Sequence, residues 1–274
     1  VVDEADRFLD LPPPYAIVID TKGEENAWNS LILVLASEVL PAHPHAARWR
    51  ERSLEYMVSA FATPKDRSSD ARIDGRPLRQ WLRGANVHDD FTIENHGFVH
   101  PDYYMIGPAM SLPSAIVSRL AGKAAPQALS HNVREVYTSL KYFCLPGGDL
   151  LYPNGTDRTP HRLDMTTTLH VLMERLFQDR DAGALAEDAL ATLEKMQARN
   201  ANGRTYVPGE FDHHKPAEAH AAVLYSLALI TTKLWDAPKQ ARPLEQVWRD
   251  LEGVRLLEDG RFFVMRTPQS VSSF

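Results

Sequence analysis

The chain has 274 residues, 44% of them hydrophobic and 24% charged, with a formal net charge of −6 and one cysteine. That apolar share excludes wholesale disorder, and the lone Cys144 excludes an internal disulfide framework. The negative balance argues against a nucleic-acid partner, and nothing approaches the roughly 18 unbroken apolar residues that a membrane span needs.

Val1 opens the chain and the first residues lack signal-peptide character, so the sequence reads as an excised or processed piece of a longer protein. Residues 24–40 are rich in Leu, Ala and Glu and predict a helix that Pro41 stops. Residues 45–61 place Trp49, Leu54, Met57, Val58 and Phe61 on one helical stripe, ended by Pro64. A short helical turn is expected over 76–83. The stretch 84–100 reads as polar and irregular. Pro101 suits the first position of a helix, and the apolar run 101–121 is interrupted by Pro108 and Pro113. Residues 127–144 predict another amphipathic helix, closed by Pro146-Gly147-Gly148. After a polar loop at 147–163, helices are expected at 164–178, 182–199 and 216–235, with a third polar loop at 200–215. From about 254 the period changes, and Asp259-Gly260 between apolar runs signals a β-hairpin. The fold class is therefore all-α, with paired helices and the start of a C-terminal antiparallel β region. Long polar loops between helix pairs point to a site at one end of the array.

The densest chemistry lies in residues 88–104, which hold three His, four carboxylates, Asn95, Tyr103 and Tyr104 within 17 residues. Phe91, Phe98 and the tyrosines suggest partial burial, and buried polar groups must find partners. If a helix begins at Pro101, His100 caps it, and Tyr103 and Tyr104 diverge by about 100°. One of the two then faces the site, with Tyr104 preferred, and the other joins the core. A second cluster holds Tyr152, Asn154, Asp157, Arg158, His161 and Arg162. Its Pro153-Asn154-Gly155 predicts a turn, while its cations suit a substrate carboxylate or sulfate. Arg67, Arg72, Arg76, Arg79 and Arg83 either line a groove for an anionic polymer or form a solvated basic face. Asp212, His213, His214 and His220 match no standard zinc spacing. A helix start capped by Asp212 is the simpler account, and a divalent metal there is the lesser reading. Glu25 and Asn29 share a helix face, and Trp28 either stacks on a sugar ring or packs in the core. Cys144 reads as a buried small hydrophobe.

The run DDFTIENHGFVHPDYY, the segment Glu24-Glu25-Asn26-Ala27-Trp28-Asn29 and the segment Tyr152-Pro153-Asn154-Gly155-Thr156-Asp157 resemble the helical part of heparinase II/III-like polysaccharide lyases. The resemblance implies an incomplete (α/α) toroid over 1–250 and, from 251 to 274, the first strands of a β-sandwich domain. It implies β-elimination at a uronic acid, with no cofactor, an acidic polysaccharide as partner, and a secreted or periplasmic setting. Asn95 and His96 would neutralise the sugar carboxylate. His100, Tyr103 or Tyr104 would move the protons, with Tyr152, His161, Tyr206 or a group outside the chain as further candidates for the acid. Glu25, Trp28, Asn29, Tyr152, Asn154, Asp157, Arg158 and His161 would contact substrate. The alternatives are a glycoside hydrolase on a similar toroid, pairing Asp89 or Asp90 with Asp157 or Glu210, and a non-catalytic glycan-binding module.

Overall fold

The computed structural model describes residues 1–156, 162–206, 217–240 and 242–274. Among these the chain is predominantly α-helical, with a small antiparallel sheet near its C-terminal end. It divides into two compact units, residues 1–140 with 257–262, and residues 141–256 with 263–274.

The first unit opens with α1 (Val2–Arg7), α2 (Gly23–Val39) and α3 (Ala46–Ala60). α2 packs on α3, and their apolar faces meet through Leu33, Ala36, Ala46, Trp49 and Tyr56, joined by Ala5 and Phe8 from around α1. The Trp49 indole donates to Asp6 Oδ1 at 2.8 Å, which satisfies the one polar atom of a fully buried ring. Two short ribbons follow. β1 (Arg72–Ile73) pairs with β2 (Arg76–Pro77), and β3 (Glu94–Asn95) pairs with β4 (Phe98–Val99). The short helix expected over 76–83 is thus the strand β2 running into a single 3-10 turn at Leu78–Gln80. The polar stretch 84–100 is not wholly irregular, because it contains the second hairpin.

α4 (Pro101–Ser111) starts where its proline predicts, with His100 at the N-cap, and α5 (Pro113–Leu120) restarts the helix at Pro113. Pro108 is carried inside α4, and Gly107 beside it is needed for space, since a Cβ there would come within 2.8 Å of the Phe61 ring. α6 (Val133–Phe143) is shorter than the pattern suggested, with residues 127–130 forming a separate 3-10 turn.

The second unit contains α7 (Leu163–Phe177), α8 (Arg180–Ala198), α9 (Ala217–Leu234) and α10 (Leu244–Asp250). α7 and α8 form an αα-hairpin. Gln178 turns the chain in the left-handed region at φ 55°, and Asp179 then caps α8 by accepting from the amides of Asp181 and Ala182. α8 packs on α10 through Ala184, Leu185, Val247 and Leu251. The chain ends in β5 (Gly253–Leu257), β6 (Phe262–Arg266) and β7 (Val271–Ser273), with the expected hairpin between β5 and β6. Arg266, buried on β6, donates to the carbonyl of Cys144 just beyond α6 and lies over the Trp248 ring at 4.9 Å. Burial pulls its pKa below the usual guanidinium range. Cys144 is buried and in no disulfide, as its sequence setting suggested, and burial pushes its thiol up to about 12.

Candidate functional site

The β3–β4 hairpin organises the chemistry of the first unit. Asn95 pairs with Phe98, so the connecting loop is His96-Gly97. Both loop residues have positive φ, 53° and 87°, the backbone of a type I′ turn. Such a turn fits the twist of the strands and lifts the His96 ring to an exposed position. The strap before α2 holds the hairpin in place. The Thr21 amide donates to the Glu94 carbonyl at 2.9 Å, and the Gly97 amide donates to the Ile19 carbonyl at 2.7 Å. The Ile19 amide donates to Glu94 Oε2 at 3.1 Å. Ile19 is β-branched yet sits at φ 71°, a strained conformation that these bonds enforce.

Asn95 is fully buried, and its Nδ2 lies 3.5 Å from Oε1 of Glu24 in the first turn of α2. Glu24 is also buried. Loss of water, then the nearby charges of Glu25 and Asp20, push its carboxyl up to about 8. The shift favours the neutral, protonated form of this carboxyl. Asn95 Oδ1, Glu24 Oε2 and Glu25 Oε2 are buried and accept no hydrogen bond within the described residues. Lys22 bridges Asp20 and Glu25, with Glu25 Oε1 at 3.0 Å, and the Asp20 contact holds its pKa above the usual lysine value.

The imidazole of His96 belongs to a cluster of four rings. His96 meets Tyr103 edge-on at 5.7 Å, Tyr103 meets His100 at 5.2 Å, and His100 stacks on Phe98 at 5.1 Å. The Tyr103 hydroxyl lies 3.4 Å from His96 Nε2. Tyr104 turns the other way, and its hydroxyl accepts the Ile93 amide at 2.9 Å. Of the two tyrosines, Tyr103 is the one that stands beside His96. His100 occupies the N-cap position of α4 without a side-chain capping bond and is buried, leaving His96 the exposed imidazole of the cluster.

Behind the hairpin, His88 Nε2 sits 2.9 Å from Glu94 Oε1, and His88 Nδ1 sits 4.0 Å from Asp259 Oδ2. This chain fixes Glu94 and, through it, the strap at Ile19. The aspartates offered for a hydrolase pair have backbone duties. Asp90 accepts the amides of Thr92 and Asp259, and Asp89 accepts that of Lys65.

Trp28 is 50% exposed on α2, which removes the core reading of that residue. Glu25 and Asn29 are half-buried on the same helix. Arg72, Arg76 and Arg79 are engaged locally: Arg72 with the Gly75 carbonyl, Arg76 with Glu51 and the Trp81 face, and Arg79 with Asp70. In the second unit Tyr152, half-buried, and Asn154, exposed, form the expected turn, with the Gly155 amide donating to the Tyr152 carbonyl at 3.2 Å. Asp157, Arg158, His161, Glu210, Asp212, His213 and His214 lie outside the described residues. Among the described residues no group of three or more His, Cys, Asp or Glu is placed to hold a metal, and no helix is long and apolar enough to cross a membrane.

Glu24, Glu94 and His88 are the residues that sequence reasoning passed over as site components. Glu24 lay inside a quoted motif, but its burial depends on a partner 71 positions away. No family model matches the chain, and neither a curated protein nor a solved structure matches it.

Proposed function

We propose that the chain is part of a polysaccharide lyase that cleaves a uronic-acid-containing glycan by β-elimination. In this reading the paired helices of 1–250 belong to an incomplete (α/α) toroid, and residues 251–274 begin a β-sandwich domain. One observation carries the activity: a single hairpin joins a buried amide, set against a proton-bearing carboxyl, to an exposed imidazole backed by a phenol.

β-Elimination removes the proton on the carbon beside the sugar carboxylate. The electron pair forms a carbon–carbon double bond, and the glycosidic oxygen leaves with a proton. The carboxylate must be met by hydrogen-bond donors, because negative charge builds on it as the proton departs. Neutral Glu24 and the Asn95 amide lie buried behind the hairpin tip and keep the field beside that carboxylate uncharged, and a well-aimed donor in such a site is worth about 3–4 kcal/mol. A charged Glu24 would repel the substrate, so its raised pKa suits this role. His96 is within reach of substrate, and the Tyr103 hydroxyl behind it completes a path for the proton. Trp28 offers an exposed face on which a sugar ring can stack.

The test is ultraviolet absorbance of the unsaturated uronate, with alginate, heparan, chondroitin, hyaluronan and ulvan as substrates. A rise that disappears in Asn95→Ala and His96→Ala is expected. Reducing sugar released without that absorbance would replace the lyase with a hydrolase. Binding without turnover would leave a glycan-binding module.

A further inference from the structure

The second unit holds a pair of groups that this reading has not used. Asp164 stands in the first turn of α7 and His220 in the first turn of α9, and the two helices pack together. Asp164 Oδ2 lies 3.3 Å from His220 Nδ1. The Asp164 side chain is 8% exposed and the His220 side chain 46% exposed. One ring nitrogen therefore faces a buried carboxylate and the other faces solvent. A carboxylate accepts but cannot donate, so it fixes the proton on Nδ1 and leaves the Nε2 lone pair pointing outward.

The surroundings support that polarity. Tyr206 is buried and Tyr225 half-buried, and burial together with the Asp164 charge raises both hydroxyls above the usual tyrosine range. Both stay neutral, so Asp164 has no phenolate rival for the imidazole proton. Glu218 Oε1 is taken by the Tyr206 amide at 2.7 Å. Asp164 and Glu218 raise the Tyr206 hydroxyl and Arg162 lowers it, so the charges around the ring are mixed and a neutral O–H donor suits its second nitrogen.

We propose that Asp164 and His220 form a second glycan contact, in which Asp164 positions the ring and His220 Nε2 accepts the proton of a sugar hydroxyl in a hydrogen bond. The inference rests on the glycan reading, and the following experiment separates the two. The full chain, labelled with 15N in its histidines, is titrated by NMR with tetrasaccharides from alginate, hyaluronan and cellulose. Neutral His220 is expected as the Nδ1–H tautomer, reverting to Nε2–H in Asp164→Ala. If that variant fails to fold, the wild-type tautomer alone decides, and Nε2–H there overturns the dyad. A saturable shift at His220 Nε2 is expected, with binding weakened about fivefold to tenfold in His220→Gln. Shifts at His96 but not His220 would overturn this inference and leave the glycan reading standing. Shifts at His220 alone would keep this contact and remove the His96 site instead, and shifts at neither would overturn both.

Discussion

Glu24 Oε1 stands 3.5 Å from Asn95 Nδ2, inside the first unit and at the start of α2. The folded chain binds the Glu24 proton more tightly than the unfolded chain does, with a pKa of about 8 against an ordinary 4.5. Between those values unfolding releases the proton, so the contribution of Glu24 to stability falls as pH rises and is whole only below 4.5. Glu24→Gln keeps the shape and removes the ionisation. At about 1.4 kcal/mol per unit, reduced for partial access of water, the variant gains about 2–4 kcal/mol at pH 8 and nothing at pH 4. Thermal melts across that range check the sign. A variant whose advantage does not grow with pH would show that Glu24 ionises freely in the fold.

The His96-Gly97 turn allows fold and chemistry to be separated. Asn tolerates positive φ well, so His96→Asn keeps the hairpin and deletes the imidazole. Its melting temperature is expected within about 2 °C of the parent, a change near zero in free energy. If the chain is the proposed lyase, turnover falls by at least about 100-fold, the size typical of losing a positioned proton-transfer group. Gly97→Ala is the converse. A Cβ there meets nothing within 4 Å, so its cost of about 1–2 kcal/mol is backbone strain alone. Circular dichroism melts and initial rates on both variants distinguish the two effects.

Trp28 is exposed, so its truncation leaves no cavity. Trp28→Ala is expected to change stability by less than about 0.5 kcal/mol. If the ring stacks on sugar, KM rises several-fold while kcat holds, since such a contact is made equally in ground and transition states. An unchanged KM with every polymer that is turned over would remove Trp28 from the substrate path.

Prolines and periodicity made most of the helices legible. Pro41, Pro101 and Pro113 mark boundaries that the structure keeps, because a missing amide and a fixed φ act locally whatever surrounds them. The hairpin at 94–99 was not legible. Its turn is His-Gly rather than Asn-Gly, and each strand is two residues long, too short for alternation to register. Asn95 and His96 were named through the family resemblance, and which tyrosine stands beside His96 depends on the direction α4 takes from His100. Glu24 was hidden because burial of an acid in a first helical turn depends on which strap and hairpin lie over it. The division at residue 140 had no sequence signal either, since it falls within the unbroken helix α6.

Lys141 tests how the second unit is held. Its ammonium is buried and lies 3.0 Å from Asp179 and 2.9 Å from Asp181. Asp181 also contacts Arg242 at 2.6 Å, and Asp179 caps α8. Lys141→Met leaves two partly buried carboxylates short of their cation and is expected to cost about 3–5 kcal/mol. A fall in melting temperature of about 10 °C or more is the readout. A loss under about 1 kcal/mol would mean that Arg242 alone satisfies the acidic pair.

His170 gives the second unit the opposite pH dependence to that of Glu24. It is fully buried on α7, and burial, then the Lys141 charge, push its imidazole down from 6.5 to about 3. The folded state keeps the ring neutral, whereas the unfolded chain takes up a proton below 6.5. Unfolding therefore binds a proton between pH 6.5 and 3, and stability is lost as pH falls through that window. His170→Gln cannot take up that proton, so its stability declines less steeply over the same range, whatever fixed cost the substitution carries at pH 7. Melts of both chains at pH 7 and pH 5 provide the comparison. If the gap between them stays constant, His170 is protonated in the folded state and the acid sensitivity of the unit lies in its carboxylates.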